Sequence, residues 1–375
     1  MNGAIPLGRY AGIPIRAHWS VLVILTLLTV LLAQNILPAA VSGAATATYW
    51  LTAFVAAVSL LACLLAHEIA HAALARRFGV RVKSITLWAL GGVSSFADDP
   101  PTPRVSALVA AAGPVVSLVL GGVFLVAASL TGPAWLDGLP VVCFVWLAMA
   151  NLVIGGFNLL PATPLDGGRL LHAWLWHRTG DKERATARAT AVGQMFGYLL
   201  IGLGVAQLFA GGLLGGLWFA VLGWFIAGAA LMERQQGEVF AKLAGIRVGD
   251  VMTPDPVVAP GWWTIDAFAD HVTSAGVRHR VFPVVTFDGK PAGVVGLRDL
   301  TNARTATRLQ DAARPLGQHS TVRTDEPLTA VLRRANRDAL LVVEDGVLVG
   351  ILTAADIART IELAQLGHRP ASVQP

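Results

Sequence analysis

Long stretches without any charge alternate along this chain with short polar interruptions. Trp19 to Ala66 contains no Asp, Glu, Lys, Arg or His. A helix needs about 20 apolar residues to cross a bilayer. This run therefore predicts two spans, about 19–39 and 50–74, broken near Pro38 to Gly43. Uncharged runs at 105–136 and 138–165 predict a third and a fourth span, and 189–232 a fifth and a sixth split at Gly211-Gly212. Between the second and third the period changes. Val82, Ile85, Leu87, Leu90 and Val93 around Gly91-Gly92 predict short strands or a hairpin over Val82 to Phe96.

Beyond residue 233 the pattern is that of a water-soluble module with an internal repeat. Arg280 to Val285, a turn at Asp288-Gly289 and Ala292 to Asp299 form one copy. Ala339 to Val343, a turn at Asp345-Gly346 and Val347 to Asp356 form the other. A helical stretch precedes each hairpin, about 264–276 and 327–336. The fold class expected is an α-helical polytopic membrane protein, with a small membrane-associated β segment, followed by a tandem α/β module. The domains are 1–236 and 247–375, the latter with repeats at about 247–305 and 315–365, joined by a short linker at 233–246.

Composition sharpens this division. The chain is 55% hydrophobic and 14% charged, with a mean hydropathy of +0.62, against about 25% charged in a typical soluble domain. Residues 1–232 hold 12 Lys/Arg and 7 Asp/Glu, and residues 233–375 hold 16 and 16, so the net charge of +5 belongs to the first part. Position explains it better than nucleic-acid binding. With six spans, all 12 basic residues fall in the N-terminus, 76–104 and 161–188, which share one side. The opposite loops near 40–48, 131–137 and 211–214 have none. The positive-inside rule places the basic side, and with it the C-terminal module, in the cytoplasm. The only cysteines, Cys63 and Cys143, lie in apolar spans, which argues against a disulfide framework. No small-residue cleavage site follows a short apolar core, so no removable signal peptide is expected.

The candidate chemistry starts at the end of the second span with His67-Glu68-Ile69-Ala70-His71. Residues i and i+4 share a helix face, so both imidazoles can hold one metal ion. Glu68 then stands beside the metal, where a general base is needed. Ionisable groups in an otherwise apolar span point to function. Asn158-Leu-Leu-Pro161-Ala-Thr-Pro164-Leu-Asp166-Gly167-Gly168 closes the fourth span: its two prolines stop the helix and place Asp166 on irregular backbone near the same face. A catalytic zinc takes three protein ligands and one open position. Asp166 is the natural third ligand, the alternative being an Asp that caps its own loop. Gly113-Pro114 in the third span reads as a kink or a close helix contact. His18 beside Trp19 reads as an interfacial anchor or a group near the metal, and His172 as a supporting or surface residue.

These motifs, in this order over residues 10–190, resemble the site-2 protease family of intramembrane zinc metalloproteases, in the subgroup with a C-terminal CBS pair. The resemblance implies one catalytic zinc held by His67, His71 and Asp166, with Glu68 as the base. It further implies that Asn158 holds the substrate and that the segment at Gly91, Gly92 and Val93 is a strand against which an unfolded substrate lies. The substrate implied is a single-span membrane protein, such as an anti-sigma-type factor, cut in or near its transmembrane segment in regulated intramembrane proteolysis. Val248-Gly-Asp-Val-Met-Thr-Pro254 and the two hairpins resemble a CBS pair. This implies an adenine nucleotide on Thr353 and Asp356, modulation of the protease, and a homodimer through the pair. In the first repeat Gly296 replaces the threonine although Asp299 is kept, which leaves at most one ribose site. The partners expected are this substrate and membrane lipid, and no nucleic acid. The rival reading is a CBS-regulated metal-ion transporter or channel lined by His67, His71 and Asp166.

Overall fold

The computed structural model describes residues 4–89, 91–130, 138–277, 279–301, 307–317, 320–334 and 339–366. Leu90 and the expected outer loop at 131–137 lie outside them. The chain divides into two compact units, Met1–Gly237 and Glu238–Pro375.

Six helices in the first unit are long and apolar enough to cross a membrane. The first span combines α1 (Ser20–Leu31), a π-helical turn at Leu32–Ile36 and α2 (Leu37–Ala40). Then come α3 (Thr46–Arg77), α4 (Pro103–Leu130) and α5 (Leu139–Asn158). After α6 (Asp166–Thr179), α7 (Lys182–Phe209) and α8 (Leu213–Lys242) complete the set. At 32 residues, α3 is about 48 Å long by its 1.5 Å rise, well beyond the roughly 30 Å apolar core of a bilayer. Its far end therefore projects through the polar boundary, where Arg76 and Arg77 fill the last turn and complement the negative end of the helix dipole. The Asp181 side chain caps α7 by accepting from the Arg184 N–H.

Two expectations change. Asp166 is not on irregular backbone: it opens α6, which the extended Leu165 precedes. Gly167 and Gly168 permit this, since a Cβ on either would overlap the backbone of the Leu159–Thr163 loop. The linker expected at 233–246 is helical as far as Lys242, because α8 continues through it.

The β segment is larger than the hairpin expected. Strands β1 (Ala4–Tyr10), β2 (Ile13–His18), β3 (Val82–Trp88) and β4 (Gly91–Phe96) form one sheet in the order β1-β2-β3-β4. Strands β2 and β3 run parallel, with Ile15 opposite Ile85, and β3 and β4 antiparallel, with Ile85 opposite Ser94. The sheet packs on α3. Ile13 and Ile85 bury against Ala72, Ile69 and Leu65, and Leu87 and Ala17 against Leu61 and Leu65. Leu61, Leu65, Ile69 and Ala72 recur at helical spacing and form one stripe of α3. His67 and His71 are left to face α4, on the other side of that helix.

The second unit holds two four-stranded sheets, each built on the hairpin of one repeat, and the second hairpin's sheet takes an edge strand, Thr253–Pro254, from the first repeat. Short strands β5 (Thr253–Pro254) and β6 (Ala259–Pro260) precede α9 (Ile265–Ser274) and the hairpin of β7 (Val281–Val285) and β8 (Pro291–Gly296). Helices α10 (Leu297–Thr301) and α11 (Leu309–Ala312) lead to β9 (Arg314–Pro315) and β10 (Thr321–Val322). Then α12 (Leu328–Arg334), the hairpin of β11 (Ala339–Glu344) and β12 (Val347–Thr353), and α13 (Ala354–Gln365) repeat the plan. One core of the unit centres on Phe268 and Phe282, both fully buried and packed edge to face at 5.1 Å. Phe268→Ala should cost about 3–5 kcal/mol of stability. The measurement is limited proteolysis of the full chain against temperature. The variant should be cut within 238–375 where the parent resists, and equal resistance would contradict this account of the core.

Candidate metal centre

Helices α3, α4 and α6 bring three donors together. His67, His71 and Asp166 are 4%, 4% and 8% exposed, and one ligand atom from each lies within 4.8 Å of the others. The Nε2 atoms of both imidazoles stand 3.2 Å from Asp166 Oδ2. Ligand atoms placed tetrahedrally around zinc at 2.0–2.1 Å would be about 3.3 Å apart, so the spacing fits that ion.

The outer ring nitrogens are also held. His71 Nδ1 is 2.7 Å from the Val109 carbonyl. A carbonyl only accepts, so Nδ1 carries the proton and Nε2 keeps its lone pair for a metal. His67 Nδ1 is 2.9 Å from Ser117 Oγ. Val109 and Ser117 are eight residues apart on α4, and Gly113 stands midway, one turn from each. A Cβ on Gly113 would collide with Nε2 of both histidines. The space between the two imidazoles is thus kept open by a missing side chain, as a metal cradle requires. In the sequence Gly113 reads only as a kink or a close helix contact. Its role depends on which face of α4 meets α3, and that is a property of the tertiary structure.

Glu68 belongs to the same end of α3 and is 8% exposed, but its carboxylate turns toward β4 and is not among the three clustered donors. Ser94 Oγ donates to Glu68 Oε2 at 2.7 Å. Gly92 lies directly under the Glu68 side chain, and Val93 points outward, 44% exposed. Gly91 begins β4 with φ of 138°, a conformation open to glycine. Neither Ser94 nor Ser117 is legible as a site residue in the sequence, because an isolated serine carries no pattern.

The remaining candidates have local partners. Asn158 ends α5, partly buried, and its amide donates to the Ile154 carbonyl at 2.9 Å. His18 Nδ1 is 2.9 Å from Ser20 Oγ, which accepts from the Ala89 N–H and so ties the start of α1 to the β3–β4 turn. His172 pairs with Thr186 Oγ1 at 3.1 Å, and burial pushes its imidazole below the ordinary histidine range.

In the second unit the two repeats differ at the acid that the resemblance singles out. Thr353 caps α13, and Asp356 Oδ2 accepts from the Thr353 N–H and hydroxyl at 2.8 and 2.7 Å. Thr253 Oγ1 donates to Asp356 Oδ1 at 3.1 Å. In the first repeat Asp299 Oδ2 accepts from the Gly296 N–H at 2.9 Å and from the Arg314 guanidinium at 3.0 Å. Thr253 sits opposite Ile351, and Arg314 opposite Val294, the matching hairpin positions. A cation therefore neutralises the first acid where a neutral hydroxyl meets the second.

Gly113→Ala should abolish zinc binding while leaving the helix content unchanged. Metal analysis and circular dichroism of the purified variant test this. One zinc per chain in Gly113→Ala would show that the cradle lies elsewhere.

A model of peptidase family M50 matches residues 55–140 and 132–202. A model of the CBS domain matches 248–306 and 318–363. A Mycobacterium tuberculosis relative named as the zinc metalloprotease Rip3 is 44% identical, over 98% of this chain and 95% of its own length. Zinc metalloprotease MJ0392 of Methanocaldococcus jannaschii is 28% identical, over 98% of each chain. The solved site-2 protease from Methanocaldococcus jannaschii aligns with 62% of this chain and 95% of its own, at 26% identity and a TM-score of 0.43. The relatives carry protease names and lend no support to a metal-ion transporter or channel. On the near full-length match to the Mycobacterium tuberculosis relative, together with the family model over residues 55–202, the chain belongs to peptidase family M50, the site-2 protease family of zinc metalloproteases, and carries a CBS domain pair.

Proposed function

We propose that this zinc metalloprotease cleaves a peptide bond in or near the transmembrane segment of a single-span membrane protein, an anti-sigma-type factor being one such substrate. The observation that carries the reading is the placement of Glu68. It follows the ligand candidate His67 directly on α3, its carboxylate is not one of the clustered donors, and that carboxylate accepts from Ser94 on β4, the last strand of its sheet among the described residues.

Zinc bound at His67, His71 and Asp166 would supply Lewis acidity toward water and a peptide carbonyl. The residues do the rest. Ser117 and the Val109 carbonyl fix the two imidazoles. Glu68 takes a proton from the attacking water and later returns it to the leaving nitrogen. A helical substrate hides its carbonyls in its own hydrogen bonds, so it has to unwind before the reaction. The outer edge of β4 offers the unwound segment backbone partners in place of those it gives up. Gly91, with open space beside it, leaves room for a close approach, and Asn158 at the end of α5 is assigned to holding the substrate.

The membrane is taken to be the cell membrane. The N-terminus, the face that carries Arg76 and Arg77, and residues 233–375 are assigned to the cytoplasm from the one-sided distribution of Lys and Arg. The CBS pair is assigned one adenine nucleotide at Thr353 and Asp356, a modulating role and a homodimer contact. The Asp299–Arg314 ion pair supports a single ribose site.

Glu68→Gln should keep its zinc and lose cleavage of a labelled membrane peptide by at least about a hundredfold. An active Glu68→Gln enzyme, or a wild-type chain that cleaves no membrane peptide with zinc bound, would end the proteolytic reading. For topology, a cysteine introduced at Ser42 should react with an impermeant reagent in intact cells, and one at Phe287 only after lysis. The reverse pattern would invert the assigned orientation.

A further inference from the structure

We infer that Ser94 is a positioning residue that holds the base Glu68 to the strand on which the substrate docks. This rests on the proteolytic reading above. Side chains alternate along a strand, and β4 uses that alternation to serve two neighbours. Val93 points outward, whereas Gly92 and Ser94 turn toward α3. The carboxylate of Glu68 is caught between these two. Ser94 Oγ donates to Oε2 at 2.7 Å and also reaches the Glu68 carbonyl oxygen at 3.4 Å. On the other side a Cβ at Gly92 would overlap the Glu68 side chain and come within 2.8 Å of Oε1.

The two carboxylate oxygens are therefore unequal. Oε2 is engaged by a hydroxyl donor, and no hydrogen bond among the described residues reaches Oε1. A bond donated to one oxygen leaves the other as the better proton acceptor. It also fixes the side-chain torsions, which a free glutamate would have to freeze at each turnover. The partner that fixes them is part of β4 itself, so the base keeps its distance from any backbone paired along that strand. Alignment of the reacting groups is worth orders of magnitude in rate. A serine suits the task because its hydroxyl is neutral and does not compete for the proton.

The test uses the zinc-loaded full chain in lipid nanodiscs with a fluorescent single-span peptide. Ser94→Ala should keep one zinc per chain. It should also bind the peptide within about twofold of the parent when Glu68→Gln is compared with Glu68→Gln/Ser94→Ala. Its single-turnover cleavage should slow by about tenfold, the size expected for a lost hydrogen bond to a charged group. Ser94→Thr, which keeps the hydroxyl and suits a strand, should recover most of the rate. The inference is overturned if Ser94→Ala cleaves at the parental rate or if Ser94→Thr is as slow as Ser94→Ala. It is overturned equally if the loss is in peptide affinity with the rate constant unchanged, since Ser94 would then serve docking. Loss of zinc from Ser94→Ala would assign the residue to the scaffold of the metal centre and overturn it too. A parent chain that binds zinc but cleaves no membrane peptide defeats the proteolytic reading and this one with it. A cleaving parent with an unaffected Ser94→Ala defeats only this one.

Discussion

Two imidazoles and two carboxylates buried at the end of an apolar helix have to find every partner inside the protein. Leaving any of them unpaired costs several kcal/mol, roughly, in surroundings that offer little water. This requirement accounts for much of the membrane unit. His71 uses a main-chain carbonyl of α4, His67 a hydroxyl one helical stretch further on, and Asp166 bridges both imidazoles from the start of α6. The fourth group, Glu68, is satisfied from the opposite direction by β4. Three neighbouring elements, α4, α6 and β4, contribute partners, so α3 cannot rotate or slide without orphaning one of these groups.

The same constraint explains why a sheet belongs beside this helix. Its inner face supplies Ile13, Ile85 and Leu87 to cover the apolar stripe of α3. Its last strand among the described residues supplies a hydroxyl to the Glu68 carboxylate. Small residues appear where groups must meet. Gly113 leaves room between two imidazoles, Gly92 leaves room under a carboxylate, and Gly167-Gly168 let α6 start against the preceding loop. A side chain at any of them would fill space that the site needs.

The second unit shows how a repeat can diverge at one point while its fold persists. Both hairpins present an acid at the start of the following helix. One meets a threonine and the other an arginine. Opposite charge in the second case changes what the acid can offer a ligand, since a paired carboxylate is a weaker acceptor than one held by hydroxyls.

What the sequence determined by itself were the features that repeat at short range or exclude one another chemically. Uncharged runs predicted six spans, because a bilayer tolerates few charges, and the six helices lie where those runs do. The H-E-x-x-H spacing put two imidazoles on one helix face, and the lone acid after the fourth span pointed to Asp166. The paired hairpins of the second unit were legible from alternation and turn residues. The N-terminal hairpin is not legible in the sequence, although Ile13, Ile15 and Ala17 alternate inward, since six residues of alternation merge into the long apolar run that follows. Tertiary structure alone decided the rest. Ser94, Ser117 and the Val109 carbonyl acquire their roles only from the register of β4 and the face of α4 that meets α3. Gly113 comes to lie against both imidazoles for the same reason. Those contacts join residues 26 to 50 positions apart, and no local periodicity encodes which neighbour a side chain will meet at that distance.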